Sequence, residues 1–303
     1  MKFLQRAIIA LTITAISYVQ GNNKTRIIGG VSSPIDVYPY ATFIVDKTSG
    51  IVCGGTLIDK NWVLTAAHCM VDTNIENVRV IIGPKNIRKD QGVVIKTKYL
   101  HDKYDKVTQD NDICLLELKE PSNAIPAVID TKVVQDNLVL RAIGWGIESN
   151  GSLQPSNQLM QVDLMTISTD ECRKNFTPFV GNADGKQICT GKTPGRDTCL
   201  GDSGGALLRN IGISVPATPI TIGNSTPING TEIISNKDLG SNISNTASKF
   251  KLVGITSFGA WPVSSKNVGL CASSDVIGIY TSVAKYLDFI NSTTGLKLPL
   301  AES

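Results

Sequence analysis

An all-β fold is what this sequence predicts, and three observations carry the expectation. Short apolar or alternating segments recur along the chain, bounded by Gly, Pro, Asn or Asp. Helical periodicity is confined to one stretch near the C-terminus. Apolar residues make up 42% of the 303 and charged residues 18%, enough to bury a sizeable core and to exclude a wholly disordered chain. The strand candidates are 41–45, 52–58, 78–82, 92–99, 113–118, 138–143, 160–167 and 252–257. Their regular spacing fits a barrel or sandwich. Pro121 and Pro126 lie in a polar stretch placed to connect two halves, although no internal repeat is visible. Val283, Leu287 and Ile290 share one helical face that ends near Gly295.

The ends and the charge set the compartment. Lys2 and Arg6 precede an apolar run at 7–16, far short of the ~20 residues that span a bilayer. The pattern reads as a signal peptide over 1–17, leaving a polar stub at 18–26. No later run is long enough to cross a membrane, so a secreted protein without a membrane partner is expected. The formal charge of 29 − 26 = +3 is too balanced for a dedicated nucleic-acid binder. Secretion makes disulfides the default for most of the seven cysteines, none of them in a CxxC pair. Seven Asn-x-Ser/Thr acceptors, at Asn23, Asn150, Asn175, Asn224, Asn229, Asn242 and Asn291, agree with export.

One segment differs in kind. Of the 42 residues from Arg209 to Phe250, 21 are Ser, Thr, Asn or Gly and three are Pro. Such a composition cannot supply a packed core, and 209–250 reads as an exposed insertion.

Three short strings carry chemistry. Gly201-Asp202-Ser203-Gly204-Gly205 sets a serine among glycines, so that its hydroxyl can project from a tight turn while backbone N–H groups come close to a reacting carbonyl. Thr65-Ala66-Ala67-His68-Cys69 puts a histidine at the end of an apolar strand. In Asp110-Asn111-Asp112-Ile113-Cys114 an acid leads into an apolar strand, where a carboxylate must find a partner. Each alone is compatible with an ordinary turn, core histidine or strand cap. Together they supply nucleophile, base and orienting acid, in the chain order His, Asp, Ser.

On these residues the chain resembles the chymotrypsin/trypsin family of secreted serine endopeptidases. Arg26-Ile27-Ile28-Gly29-Gly30 is similar to the family's activation site, and Gly144-Trp145-Gly146 and 254–259 are further landmarks. The resemblance implies a peptidase domain over 27–291, built of two six-stranded antiparallel barrels (about 27–130 and 137–282) with a C-terminal helix and a tail at 292–303. It implies a triad of His68, Asp112 and Ser203, with the N–H groups of Gly201 and Ser203 as oxyanion hole. Cleavage after Arg26, by another protease or by a second copy, would free the Ile27 ammonium to pair with Asp202. Asp197 at the base of a pocket walled by Ser257, Gly259 and Gly278 implies protein or peptide substrates cut after Lys or Arg. The pairing expected is Cys53–Cys69, Cys172–Cys189 and Cys199–Cys271, leaving Cys114 a buried thiol and His101 without a catalytic role. The first bridge closes a loop of about 15 residues, a constraint of about 3 kcal/mol in the chain-entropy model.

No cofactor and no metal are expected, since 83–89 lacks the carboxylates of the family's calcium loop, and the molecule is expected to be a monomer. Departures from the pattern are Leu200 at the pocket mouth, Phe258 in place of a Trp, and a longer 260–270 connection. The competing reading is a non-catalytic binding or inhibitory protein on the same fold.

Overall fold

Six strands between residues 41 and 118 each turn an apolar face inward, and their mutual burial closes the first barrel. The structure, a computed structural model, describes residues 29–83, 86–147, 149–152, 154–191, 195–212 and 249–298. After β1 (Val31–Ser32), the chain forms β2 (Ala41–Asp46), β3 (Val52–Asp59), β4 (Trp62–Thr65), β5 (Val78–Ile82), β6 (Val93–Leu100) and β7 (Cys114–Leu118). These pair antiparallel in the ring β2-β3-β4-β7-β6-β5. Leu57, Val63, Leu64, Val80, Leu115 and Leu116 are fully buried within it.

The second barrel follows β8 (Val128–Ile129). It consists of β9 (Val139–Gly144), β10 (Met160–Thr166), β11 (Gln187–Gly191), β12 (Ala206–Asn210), β13 (Phe250–Ala260) and β14 (Ile277–Ser282). The order β10-β11-β14-β13-β12-β9 is closed by pairing of β9 with β10. Leu140, Ala142, Ile188, Leu207 and Tyr280 fill its interior. Two closed six-stranded barrels and a short C-terminal helix are the architecture that the resemblance implies. The strand candidates omit β11, β12 and β14, and reach β4 only as the apolar strand that ends before His68. A five-residue helix, α1 (Thr169–Arg173), is too short for periodicity to reveal. It is capped by Ser168 Oγ, which accepts the Glu171 N–H, and tied down by the Cys172–Cys189 disulfide.

The two barrels do not divide the chain where the sequence suggests. Val31 and Ser32 pair with Gln161 and Met160, so the segment after 29 belongs to the second barrel rather than the first. In exchange, the C-terminal helix α2 (Leu287–Thr294) packs on the first. Its Leu287 and Ile290 join the first-barrel core, and the His101 ring lies 5.4 Å from Tyr286 and 5.0 Å from Phe289. Gly295 ends the helix in the left-handed conformation (φ 72°), as its position predicts. The helix therefore runs past residue 292, and Asn291 then holds the backbone of Leu298 through both amide atoms. All three expected disulfides form, and Cys114 is a buried free thiol. Among the described residues no helix is long and apolar enough to cross a membrane.

The 209–250 segment needs a correction at both edges. β12 and β13 stay in register to Asn210↔Phe250, and the Ile211 N–H donates to Lys249 O at 2.8 Å. Edge residues 209–211 and 249–250 are therefore ladder, and residues 213–248 lie outside the described residues. Also outside them are 1–28, with Arg26, Ile27 and Asn23, and the acceptors Asn224, Asn229 and Asn242. Since the ladder is complete without residues 213–248, replacing them by an Asn-Gly turn is expected to preserve the fold. Shortening the loop should add about 1–2 kcal/mol through lower closure entropy. Calorimetry checks this, and a lost or broadened transition would show that the segment contributes to the core.

Candidate active site

Register brings the histidine and the acid together. In the antiparallel pair β4–β7, Thr65 faces Cys114. His68 lies three residues beyond the first and Asp112 two residues before the second, so both leave the same end of the ladder. The Asp112 carboxylate accepts the His68 backbone N–H at 2.8 Å and faces His68 Nδ1 at 2.7 Å. Ser257 Oγ from β13 donates to it at 2.5 Å, and Thr281 Oγ1 from β14 donates to the Asp112 carbonyl at 2.9 Å. A buried carboxylate is tolerable only with such donors. Ser257 Oγ and His68 Nδ1 share Asp112 Oδ2 while the His68 backbone N–H holds Oδ1, so the ring turns Nδ1 toward the carboxylate and leaves Nε2 on its far side. Ser257, expected in the pocket wall, thus has its hydroxyl engaged by Asp112.

Ser203 sits in the turn before β12. Asp202 N–H donates to Cys199 O and Gly205 N–H to Asp202 O, while Gly201 (φ 93°) and Gly204 (φ 79°) are left-handed. A Cβ on Gly204 would lie 2.2 Å from Thr65 Oγ1, and one on Gly54 would lie 2.7 Å from Gly205 Cα. Glycine at these positions lets the turn press against the first barrel, where the Gly54 N–H donates to Ser203 O at 2.7 Å. The Cys69 sulfur lies 3.7 Å from both His68 Nε2 and Ser203 O, so it bridges the gap between the two residues. Ser203 Oγ and His68 Nε2 are not hydrogen-bonded to each other here, a common state of such pairs before substrate tightens them. Among the described residues the N–H groups of Gly201 and Ser203 have no protein acceptor. They remain free to bind an oxyanion.

Two further carboxylates are buried behind the turn. Asp202 accepts N–H bonds from Gly146 (2.8 Å) and Cys199 (2.9 Å), and burial pushes its pKa up to about 6. Asp197 accepts the Thr198 N–H at 2.8 Å. Burial, opposed by the backbone N–H, raises its pKa to about 7. Asp197 and Gly278 line a narrow, partly open pocket with Thr190, Ser273 and Val276. Gly259 pairs with Gly278 across β13–β14 without lining that pocket. Trp261, which no sequence signal singles out, has Cη2 3.1 Å from where a Gly259 Cβ would stand, and its buried Nε1 has no partner. Leu200 is 70% exposed. Phe258 meets Phe176 edge-on at 5.3 Å. Cys53, His68 and Cys69 lie close enough to resemble a metal-ligand set, but their sulfurs are bonded to each other and offer no thiolate.

Comparison with known proteins agrees with this geometry. The Trypsin family model matches residues 27–290. The chain is 30% identical over 280 residues to trypsin 5G1 of Aedes aegypti, covering 89% of this chain and 86% of that protein. It is 33% identical over 215 residues to a trypsin of Simulium vittatum (66% and 86% covered). It is also 33% identical over 194 residues to brachyurin of Leptuca pugilator (61% and 82% covered).

The carboxylate at the barrel seam makes a direct prediction. Ser257→Ala should destabilise the fold by about 1–3 kcal/mol, because it leaves one buried carboxylate oxygen short of a donor. Urea unfolding measures this, and an unchanged midpoint would show that the Ser257 bond contributes nothing.

Proposed function

The chain belongs to the trypsin family of serine endopeptidases, and from that premise we propose a secreted enzyme, made as a zymogen, that cuts protein or peptide chains after Lys or Arg. The observation that carries the reading is the pairing of His68 Nδ1 with buried Asp112, beside a serine turn whose two N–H groups are free. In the proposed mechanism His68 Nε2 takes the Ser203 Oγ proton as Oγ attacks the scissile carbonyl. The new oxyanion accepts the N–H groups of Gly201 and Ser203. The protonated imidazole then gives its proton to the leaving amine as the C–N bond breaks, leaving Ser203 acylated. Water, deprotonated by the same imidazole, releases the acid. Asp112 fixes the ring tautomer and offsets the imidazolium charge.

Activation at Arg26-Ile27 is supported by Asp202. Its carboxylate is fully buried with two backbone donors and no cation among the described residues. An ammonium brought beside it would neutralise that charge and brace the turn that carries the Gly201 N–H. Gly29 already approaches the specificity site, since a Cβ there would lie 2.0 Å from Gly195 O and 2.6 Å from Arg196 Cγ. Export is supported by the three disulfides and the N-terminal apolar run.

Two measurements test this reading. After cleavage at Arg26, Ser203→Ala should lower hydrolysis of an arginyl ester by at least about 10³-fold; equal rates would leave a binding protein as the better account. For Asp197, a substrate cation favours the ionised carboxylate, and a pKa of about 7 in the free site means that ionisation rises across pH 6–8. Inhibition by an amidinium mimic of arginine should therefore tighten about tenfold between pH 6 and pH 8, and Asp197→Asn should abolish that slope. Tighter inhibition at pH 6 would overturn the assignment of Asp197.

A further inference from the structure

Between Ile147 and Pro155, which pair across its root, a loop hangs beside both halves of the site. Its first residue is tied to the serine turn, the Ile147 N–H donating to Leu200 O at 2.8 Å. Its tip reaches the other way. Asn150 Oδ1 accepts the Cys271 N–H at 3.0 Å, and Asn150 Nδ2 donates to Cys271 O at 3.1 Å. One carboxamide thus grips both polar groups of a single residue, as a strand partner would. Cys271 is bonded to Cys199, two residues beyond Asp197. Ala272, next to it, has a left-handed backbone (φ 55°), a conformation that a residue with a Cβ adopts only when its surroundings hold it there, and Ser273 and Ser274 beyond it line the same pocket as Asp197.

We propose that Asn150 is a positioning residue for the substrate pocket, gripping Cys271 so that the strained Ala272 turn keeps Ser273 and Ser274 in the pocket wall beside Asp197. This rests on Asp197 being the base of that pocket. Asn150 also heads an Asn-Gly-Ser acceptor for N-linked carbohydrate, and the two uses exclude one another. A side-by-side grip on one residue uses the amide oxygen and the N–H hydrogen on the same side as that oxygen. Glycosylation makes Nδ2 a secondary amide, whose trans form puts the sugar carbon in the place of that hydrogen, and the cis form is strongly disfavoured. A molecule glycosylated at Asn150 therefore cannot grip Cys271.

The test compares wild type, Asn150→Ala and Ser152→Ala, all made in a glycosylating host and cleaved at Arg26. Ser152→Ala removes the acceptor motif and keeps the carboxamide. Exchange of the Cys271 amide hydrogen, read by mass spectrometry, reports the grip without requiring activity. Kinetics on a lysyl or arginyl peptide report its effect on the pocket. Relative to Ser152→Ala, Asn150→Ala should exchange Cys271 faster and raise KM about fivefold, with kcat within about twofold. Wild type should match Ser152→Ala if the Asn150 peptide carries no sugar and Asn150→Ala if it does. Equal exchange in the two variants, or equal KM, would overturn the proposal, as would a glycosylated wild type that behaves like Ser152→Ala. Failure of the underlying reading looks different: Ser152→Ala would then cleave neither lysyl nor arginyl peptides while the exchange comparison still reports the grip.

Discussion

A carboxylate buried where two barrels meet must be surrounded by donors, and Asp112 draws them from both sides. The His68 backbone and ring come from the first barrel, and Ser257 comes from the second. Thr281 adds a bond from the second barrel to the backbone of the same residue. Separating the barrels would expose the carboxylate to water but also strand these partners. The group that orients the imidazole therefore also fixes how the barrels sit against each other. The barrel seam and the candidate site share one set of hydrogen bonds.

The serine turn obeys a second constraint, that of space. It passes so close to β3, β4 and the Gly144-Trp145-Gly146 segment that side chains are excluded at several points. A Cβ on Gly144 or Gly146 would stand within 2.3 Å of an Asp202 carboxylate oxygen. Close approach is what lets backbone N–H groups, rather than flexible side chains, satisfy Asp202. The Gly201 and Ser203 N–H groups, by contrast, have no acceptor among the described residues. Fixed dipoles of this kind need no reorganisation when charge develops on a substrate.

Much of this was legible because the decisive residues lie in short local strings. A histidine after an apolar strand, an acid before one and a serine between glycines can each be read without knowing what lies opposite. Short apolar segments bounded by turn residues likewise revealed most of the first barrel. What escaped depends on partners far away in sequence. The Ser257 hydroxyl acquires its role 145 residues from Asp112, and Trp261 matters only because Gly259 has no side chain to keep it away. β14 contains a glycine at 278, which blurs a strand pattern. The crossing of Val31–Ser32 to β10 rests on two residues of pairing, too little for a pattern to show.

That crossing, together with the docking of α2 on the opposite barrel, gives the molecule the topology of a folded-arm embrace. Each half is strapped shut by the far end of the chain, so the boundary at 119–138 marks a division in shape but not in autonomy. A gene cut there would yield one fragment missing its closing helix and another missing its first edge strand. Recombination at that boundary would consequently part each barrel from the end of the chain that packs on it.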